Sequence, residues 1–516
     1  VNVDIRHSGR GELRVQLIAP DGTVVRLVET SAERAPDLVT TFGRDSIPVD
    51  SLDQLRGRSA AGEWRLRVID LAFGDVATVV SWGLLVRFQG EAPSATRPVA
   101  ARRQVVPVAG HAPGANGTFF TTDLQLLNPA SRAVEVLLIF TPSAADGRTN
   151  FAAVRVVLGG GESATFRDVI RTLFATAGLG SIDIAGDVIA STRTSTRGHG
   201  GTYGLFAPAA PVADSIGSNS PPLSIAHLRN DDAFRSNVGF VEVTGHPVRA
   251  VVDFGGGDAR SYDVPPFGHL QVPVETKGTV LAPSVSVEGE GRLIAYGAVV
   301  DNRSGDPVFI LARAAPMPPG AVVPAISSAG AAGTFWRTDV ASTTGSELTY
   351  RTAAGFVTRL VPAGSRIDDI VGQLFDGEGT IGVIENGSAS LVSVRIWTDG
   401  PNGTYGLSAP FGVPSNAQEQ HILHVETSAD FRTNIGLIAG ENGATVRVTV
   451  LDGDGNPVAV SGHVVPPRQL VQFAIVEGVL GGRVRVDVLE GAVYAYGALV
   501  DNRTGDPIFV PAMGPP

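Results

Sequence analysis

Oxygen-rich turns are the first groups in this sequence whose types and spacing could do chemistry. Asp452, Asp454 and Asn456, separated by single glycines, could offer oxygens to a calcium ion. A complete calcium loop needs further ligands, including a Glu at fixed downstream spacing, and Asp-Gly and Gly-Asn are also standard hairpin formers, so the segment reads first as a turn. The twin stretches Asp301-Asn302 to Asp306 and Asp501-Asn502 to Asp506 carry the same two readings, a calcium loop or the turn between the last two strands of a repeat. Apart from calcium, no cofactor is expected. His421 and His424 are the closest pair among nine scattered histidines, but a spacing of three on a strand turns them to opposite faces, which spoils joint ligation. Arg102-Arg103 is a processing site or, as the pattern favours, a solvated linker pair. Tyr203 and Tyr405, each behind Gly-Thr, could face a carbohydrate or fill the end of a sandwich, and core packing is the stronger reading. Because no Gly-x-Ser-x-Gly elbow, HExxH helix or phosphate loop occurs, no catalytic residue is assigned.

Composition limits what can position these groups. A chain of 516 residues asks for several separate cores. The 63 Gly and 34 Pro exceed the usual shares of about 7% and 5%, which suits many short strands joined by tight turns. With no Cys, disulfides and thiolate metal sites are excluded. A net charge of −11 with both signs dispersed argues against nucleic acid. No apolar run is long enough for a membrane-spanning helix. The start at Val1, without Met or a signal-type segment, reads as a mature or cropped chain.

Period-two alternation, as in Leu13, Val15 and Leu17 or Val446, Val448 and Val450, predicts half-buried antiparallel strands. Repetition then sets the organisation. GTFFTTDL at Gly117 to Leu124 returns as GTFWRTDV at Gly333 to Val340, and GTYGLFAP at Gly201 to Pro208 returns as GTYGLSAP at Gly403 to Pro410. YGAVVDNRSGDPVF at Tyr296 to Phe309 returns as YGALVDNRTGDPIF at Tyr496 to Phe509. FRSNV at Phe234 and FRTNI at Phe431 split each long repeat into halves of sandwich size. One short helix is predicted in each first half, around Val169, Ile170, Leu173 and Phe174 and around Ile370, Val371, Leu374 and Phe375, each behind a capping Asp and placed to plug a sandwich end. The expected domains are 1–90, a linker at 91–104, then 105–212, 219–314, 321–412 and 418–514.

IRHSGRGELRVQLIAPDGT at Ile5 to Thr23 and AGEWRLRVIDLAFGDVATVVSWGLLV at Ala61 to Val86 resemble the P domain that follows the catalytic domain in proprotein convertases and many secreted bacterial subtilisin-like proteases. The resemblance implies a jelly-roll sandwich that steadies a neighbour and does no chemistry. Trp64 and Trp82 are expected in its core. The family's segment before the first long strand is missing here, so upstream residues or another chain would complete the sheet. The rest of the chain resembles uncharacterised immunoglobulin-like repeats at the C-terminal ends of large secreted bacterial proteins.

These readings converge on an all-β chain of five tandem β-sandwich domains, one jelly-roll and four immunoglobulin-like. The leading functional expectation is a non-catalytic, secreted, extracellular or cell-surface protein whose partners are proteins, including copies of itself. It would be an extended filament subunit joined through sheet edges, favoured because Lys277 is the only lysine available to blunt them. The alternative is the accessory C-terminal region of a secreted subtilisin-like serine protease, and the third is an adhesin.

Overall fold

The fold is taken from a computed structural model of the chain, which describes all residues except 44, 59–62, 73, 85, 87–96, 98–102, 199, 315, 330–333, 401 and 516. It is all-β, and among the described residues α-helix is confined to the one-turn segments Val169–Thr172 and Ile370–Gln373. Two compact units result, Val1–Arg97 with Phe166–Thr176, and Pro98–Thr165 with Ala177–Pro516.

Among its described residues the N-terminal unit holds two three-stranded antiparallel sheets. In one, Asn2–Arg6 lies between Leu38–Thr41 and Thr78–Gly83; in the other, Leu13–Ile18 lies between Val24–Val28 and Arg65–Asp70. Alternation places Leu13, Val15 and Leu17 in the shared core with Val3 and Ile5, and Trp64 packs against it. Trp82 departs from expectation. It faces Val3 from an outer strand and remains 36% exposed, because no described strand lies beyond it to cover the ring.

In the second unit the two long repeats fold alike. The first half of one runs in sheet order Ala152–Leu158, Val134–Pro142, Gly178–Ala185, Arg103–Pro113, Phe119–Leu127, Ile189–Gly198, Gly201–Pro208. Its counterpart runs Gly355–Val361, Ser346–Thr352, Thr380–Asn386, Val322–Ala329, Phe335–Ser342, Val392–Gly400, Gly403–Ala409, the same order. The second halves are two-layer sandwiches. One has separate strands Phe234–Glu242 and Val248–Asp253 where the other has the single strand Phe431–Leu451, irregular between Ala439 and Ala444, that serves both layers. Ile370 and Val371 sit with Phe375 in the core, as a plugging helix requires, and Asp369 accepts the Gly372 N–H as its cap. Asp168, with φ 46°, makes no such side-chain cap bond.

The arrangement of the four repeat halves, which the sequence left open, is that residues 98–165 and 177–516 form one compact unit. One expectation is corrected: Arg103 is not a solvated linker residue, since it opens the strand Arg103–Pro113 and is nearly buried, bonded to Asp183 and to the Val243 carbonyl. Arg102 lies outside the described residues.

Tyrosines crossing glycines pin both second-half sandwiches. Gly436 lies opposite Tyr496, and Gly239 opposite Tyr296. A Cβ at these glycines would sit 2.1 Å and 2.0 Å from the ring Cζ. The Tyr496 hydroxyl donates to Gln472 Oε1 at 3.1 Å, so the ring cannot simply swing away. Gly436→Ala is therefore expected to cost about 2 kcal/mol through overpacking, read as a lower urea midpoint. An unchanged midpoint would show that the ring is not held.

Candidate functional site

The repeated motifs meet in space. The GTYG strands and the loops between Asp301 and Asp306 and between Asp501 and Asp506 build two copies of one arrangement, each joining a loop to a strand of the other repeat. Asp501 Oδ2 accepts the Thr202 N–H at 2.9 Å and the Thr202 hydroxyl at 2.8 Å. Asp301 Oδ2 accepts the Thr404 N–H at 3.0 Å and its hydroxyl at 2.9 Å. Each Oδ1 is used by the loop itself, Asp501 by the Arg503 and Thr504 N–H groups and Asp301 by those of Arg303 and Ser304. Returning bonds run from the Thr504 hydroxyl to the Thr202 carbonyl and from the Ser304 hydroxyl to the Thr404 carbonyl. A side chain at Gly201 would meet Asp501 Oδ1 at 2.7 Å, so this approach needs glycine.

Arginines complete each copy. Arg193 donates to the Thr202 hydroxyl at 3.0 Å and lies over Phe431, while Arg395 donates to the Thr404 hydroxyl at 2.9 Å and lies over Phe234. Tyr203 and Tyr405 stack on each other, centroids 5.2 Å apart, and both are buried. Their role is packing.

The two copies share a buried carboxyl pair. Asp506 Oδ2 accepts the Gly204 N–H at 2.8 Å, and Asp306 Oδ2 accepts the Gly406 N–H at 2.9 Å. The two Oδ1 atoms have no hydrogen-bond partner, and the two carboxyl groups are close enough for each to shift the other's titration. Burial pushes Asp306 up to about 8 against the pull of Arg395, and burial with the charge of Asp306 pushes Asp506 well above the usual range. For Asp301 and Asp501 burial also pushes upward, but their N–H and hydroxyl donors outweigh it and hold both below the usual range. Chemically, the arrangement clamps two loops to two strands.

The other sequence candidates fall elsewhere. Asp452 Oδ1 accepts the N–H groups of Asp454 and Asn456 at 3.0 and 2.8 Å, so the hairpin supplies its own donors. His421 pairs with Glu419, whereas His424 Nε2 lies 3.0 Å from the Ser191 carbonyl. A cluster not singled out from the sequence lies in the N-terminal unit, where His7, Glu12, Asp70 and Asp75 bring ligand-type atoms within 4.8 Å of one another. His7 Nδ1 lies 2.9 Å from the Gly9 carbonyl, and Nε2 lies 3.2 Å from Asp70 and 3.4 Å from Asp75. Burial pulls its pKa down, but the bonds to Asp70 and Gly9 and the two negative charges prevail and raise it. Asp70 and Asp75 stand in the IDLAFGD stretch and His7 in IRHSG, so the motifs were visible although their convergence was not.

Two short sheets around one core accord with the sandwich that the sequence resemblance implied. Residues 1–86 match the proprotein convertase P-domain family. Over 82 residues the chain is 42% identical to Leupeptin-inactivating enzyme 1 of Streptomyces exfoliatus, covering 16% of this chain and 17% of that protein. Over 85 residues it is 36% identical to the Transglutaminase-activating metalloprotease of Streptomyces mobaraensis, covering 16% and 10%. The chain thus spans less than a fifth of the length of either relative. A crystal structure of trypsin-activated alpha-2-macroglobulin from Escherichia coli aligns at 9% identity and a TM-score of 0.11, too low to carry an argument.

Proposed function

We propose that this chain is a non-catalytic, extracellular accessory region of a secreted peptidase, in which the P domain steadies a catalytic neighbour and the doubled sandwich unit serves as a rigid attachment. The match of residues 1–86 to the P-domain family carries this reading, and the metalloprotease among the relatives supports it. The carboxylates that converge in the second unit are engaged by backbone donors, which suits a clamp. Mass mapping of the native secreted material is expected to find a peptidase domain joined to this chain or co-purifying with it. Deleting residues 1–86 should then lower that enzyme's half-inactivation temperature by about 5 °C or more. Material secreted alone and assembled into polymers would overturn the reading.

Self-assembly through sheet edges is the second reading. Its support is the outer strand Gly355–Val361, which exposes Phe356 at 66% and Leu360 at 74%. Concentration-dependent fibres that Leu360→Lys abolishes would favour it.

A further inference from the structure

The doubled architecture allows each contact between repeat halves to be compared with its counterpart, and at one place the two differ. Leu127, Ile189 and Leu423 form a buried apolar cluster against which Met513 packs. Pairing Gly117 with Gly333, Gly201 with Gly403, Phe234 with Phe431 and Tyr296 with Tyr496 puts Thr343, Leu391, Ala226 and Arg313 at the corresponding positions. The backbone is retained. Isolated antiparallel bridges join His421 to Met513 in one copy and Ser224 to Arg313 in the other. Three of the four fillers have therefore been replaced, a Leu by Thr, a Leu by Ala and a Met by Arg, with the frame intact.

Two of these replacements, Ala226 and Arg313, border a cavity of about 290 Å3, together with Leu391. At ~30 Å3 per molecule it has room for about ten waters, well above a packing defect. Phe206, Phe309, Phe411 and Tyr494 supply aromatic walls. Among the described residues no carboxylate lies within ion-pair distance of Arg313, and its Nη1 is 3.6 Å from Met317 Sδ. Partial desolvation of its head lowers the Arg313 pKa, and Tyr494 and then Asp214 act against that through charge alone. Arg366 and Arg103 are matched by Asp339 and Asp183, whereas the buried Arg193 and Arg395 donate to the Thr202 and Thr404 hydroxyls. Arg313 is an exposed residue at the border of this aromatic recess, so a carboxylate entering it would meet a guanidinium at one end and apolar rings at the other.

We propose that this cavity binds a small organic carboxylate, its head on the Arg313 guanidinium and its apolar body against Phe206, Phe309, Phe411 and Tyr494. The chemistry is shared by free alkyl or aryl acids and by the C-terminal carboxylate of a peptide ending in an apolar residue. The site is independent of whether the chain accompanies a peptidase.

Calorimetric titration of the full chain tests it with four probes: 4-phenylbutyrate, its amide, the peptide Ala-Ala-Phe, and that peptide amidated at its C-terminus. A free carboxylate is expected to bind saturably and its amide at least tenfold more weakly. Arg313→Met and Ala226→Leu install the residues of the filled counterpart; each is expected to weaken carboxylate binding at least tenfold while melting no lower than the parent. Tighter binding of Ala-Ala-Phe than of 4-phenylbutyrate assigns the site to peptide ends, and the reverse order assigns it to free acids. Absence of saturable binding, equal binding of acid and amide, or parental affinity in both folded variants overturns the proposal.

Discussion

The melting temperature of the chain is expected to fall as pH rises from about 4 to about 8, and Asp306→Asn is expected to remove much of that fall. The cause is the carboxyl pair shared by the two repeats. Asp306 is raised to about 8 from an ordinary 3.8, and Asp506 is raised as well, so the folded chain holds a proton that the unfolded chain has released. A raised folded-state pKa means stability that is complete below the unfolded value and is lost as pH climbs toward the folded one. The slope is about 1.4 kcal/mol per pH unit for one such proton. Asp301 and Asp501 have the opposite sign, since their folded values are depressed and their contribution is lost as pH falls below about 4. The groups acting on the pair are Arg395, Arg193 and Asp301, so a change in slope confined to Asp306→Asn singles out the pair. The side-chain amide introduced by Asp306→Asn would supply a permanent N–H to Asp506 and remove the need for a bound proton. The variant should therefore melt above the parent near pH 8 and lose that advantage near pH 5. Parallel melting curves for parent and variant across this range would show that the pair holds no proton.

Much of this site was present in the sequence as pattern but not as contact. Alternation at Val446, Val448 and Val450 led directly to strands, because period two is a local property. The GTYG and DNR-x-GDP motifs stood out because both repeats keep them, and their Gly, Asp and Asn content identified turns. What local chemistry could not show is that each Asp serves two masters. Asp501 caps its own loop through Oδ1 and reaches a strand some 300 residues away through Oδ2. The partner is a backbone N–H, a group every residue has, so no complementary side chain advertises it. Tyr203 was legible as core packing because an aromatic behind Gly-Thr fills a sandwich end, yet its partner Tyr405 follows from the packing of the two repeats. The arrangement of the halves stayed open in the sequence for the same reason. Sandwich-sized spacing reports each core, whereas the return of the last segment to the first depends on Thr202 and Gly204 meeting Asp501 and Asp506. Arg103 illustrates the limit at a single residue: a polar pair after a Pro-rich stretch resembles a linker, and only the tertiary partner Asp183 makes it interior.

Asp501→Ala is expected to destabilise the chain by about 3 to 5 kcal/mol, and Asp301→Ala by a similar amount. Each carboxylate receives four donors, and each is only 4% exposed, so water cannot readily replace what is lost. Removing Asp501 leaves the Thr202 N–H and the Arg503 and Thr504 N–H groups without their acceptor. It also leaves Arg193 facing a hydroxyl that has lost its anion. Charge-assisted bonds of this type contribute about 1.5 to 3 kcal/mol each, but they are cooperative, so the total is less than their sum. Asp501→Asn separates the parts, because its amide oxygen can still accept one set of donors while its NH2 opposes the other. It should cost about half as much. Hydrogen exchange locates the effect: Asp501→Ala should speed exchange at Thr202 and Gly204 and leave Thr404 protected, while Asp301→Ala does the reverse. If either substitution opened both strands equally, the clamps would be one cooperative element, with the Asp306 and Asp506 pair as the coupling between them. If neither strand opened, the loops would not be what holds the repeats together.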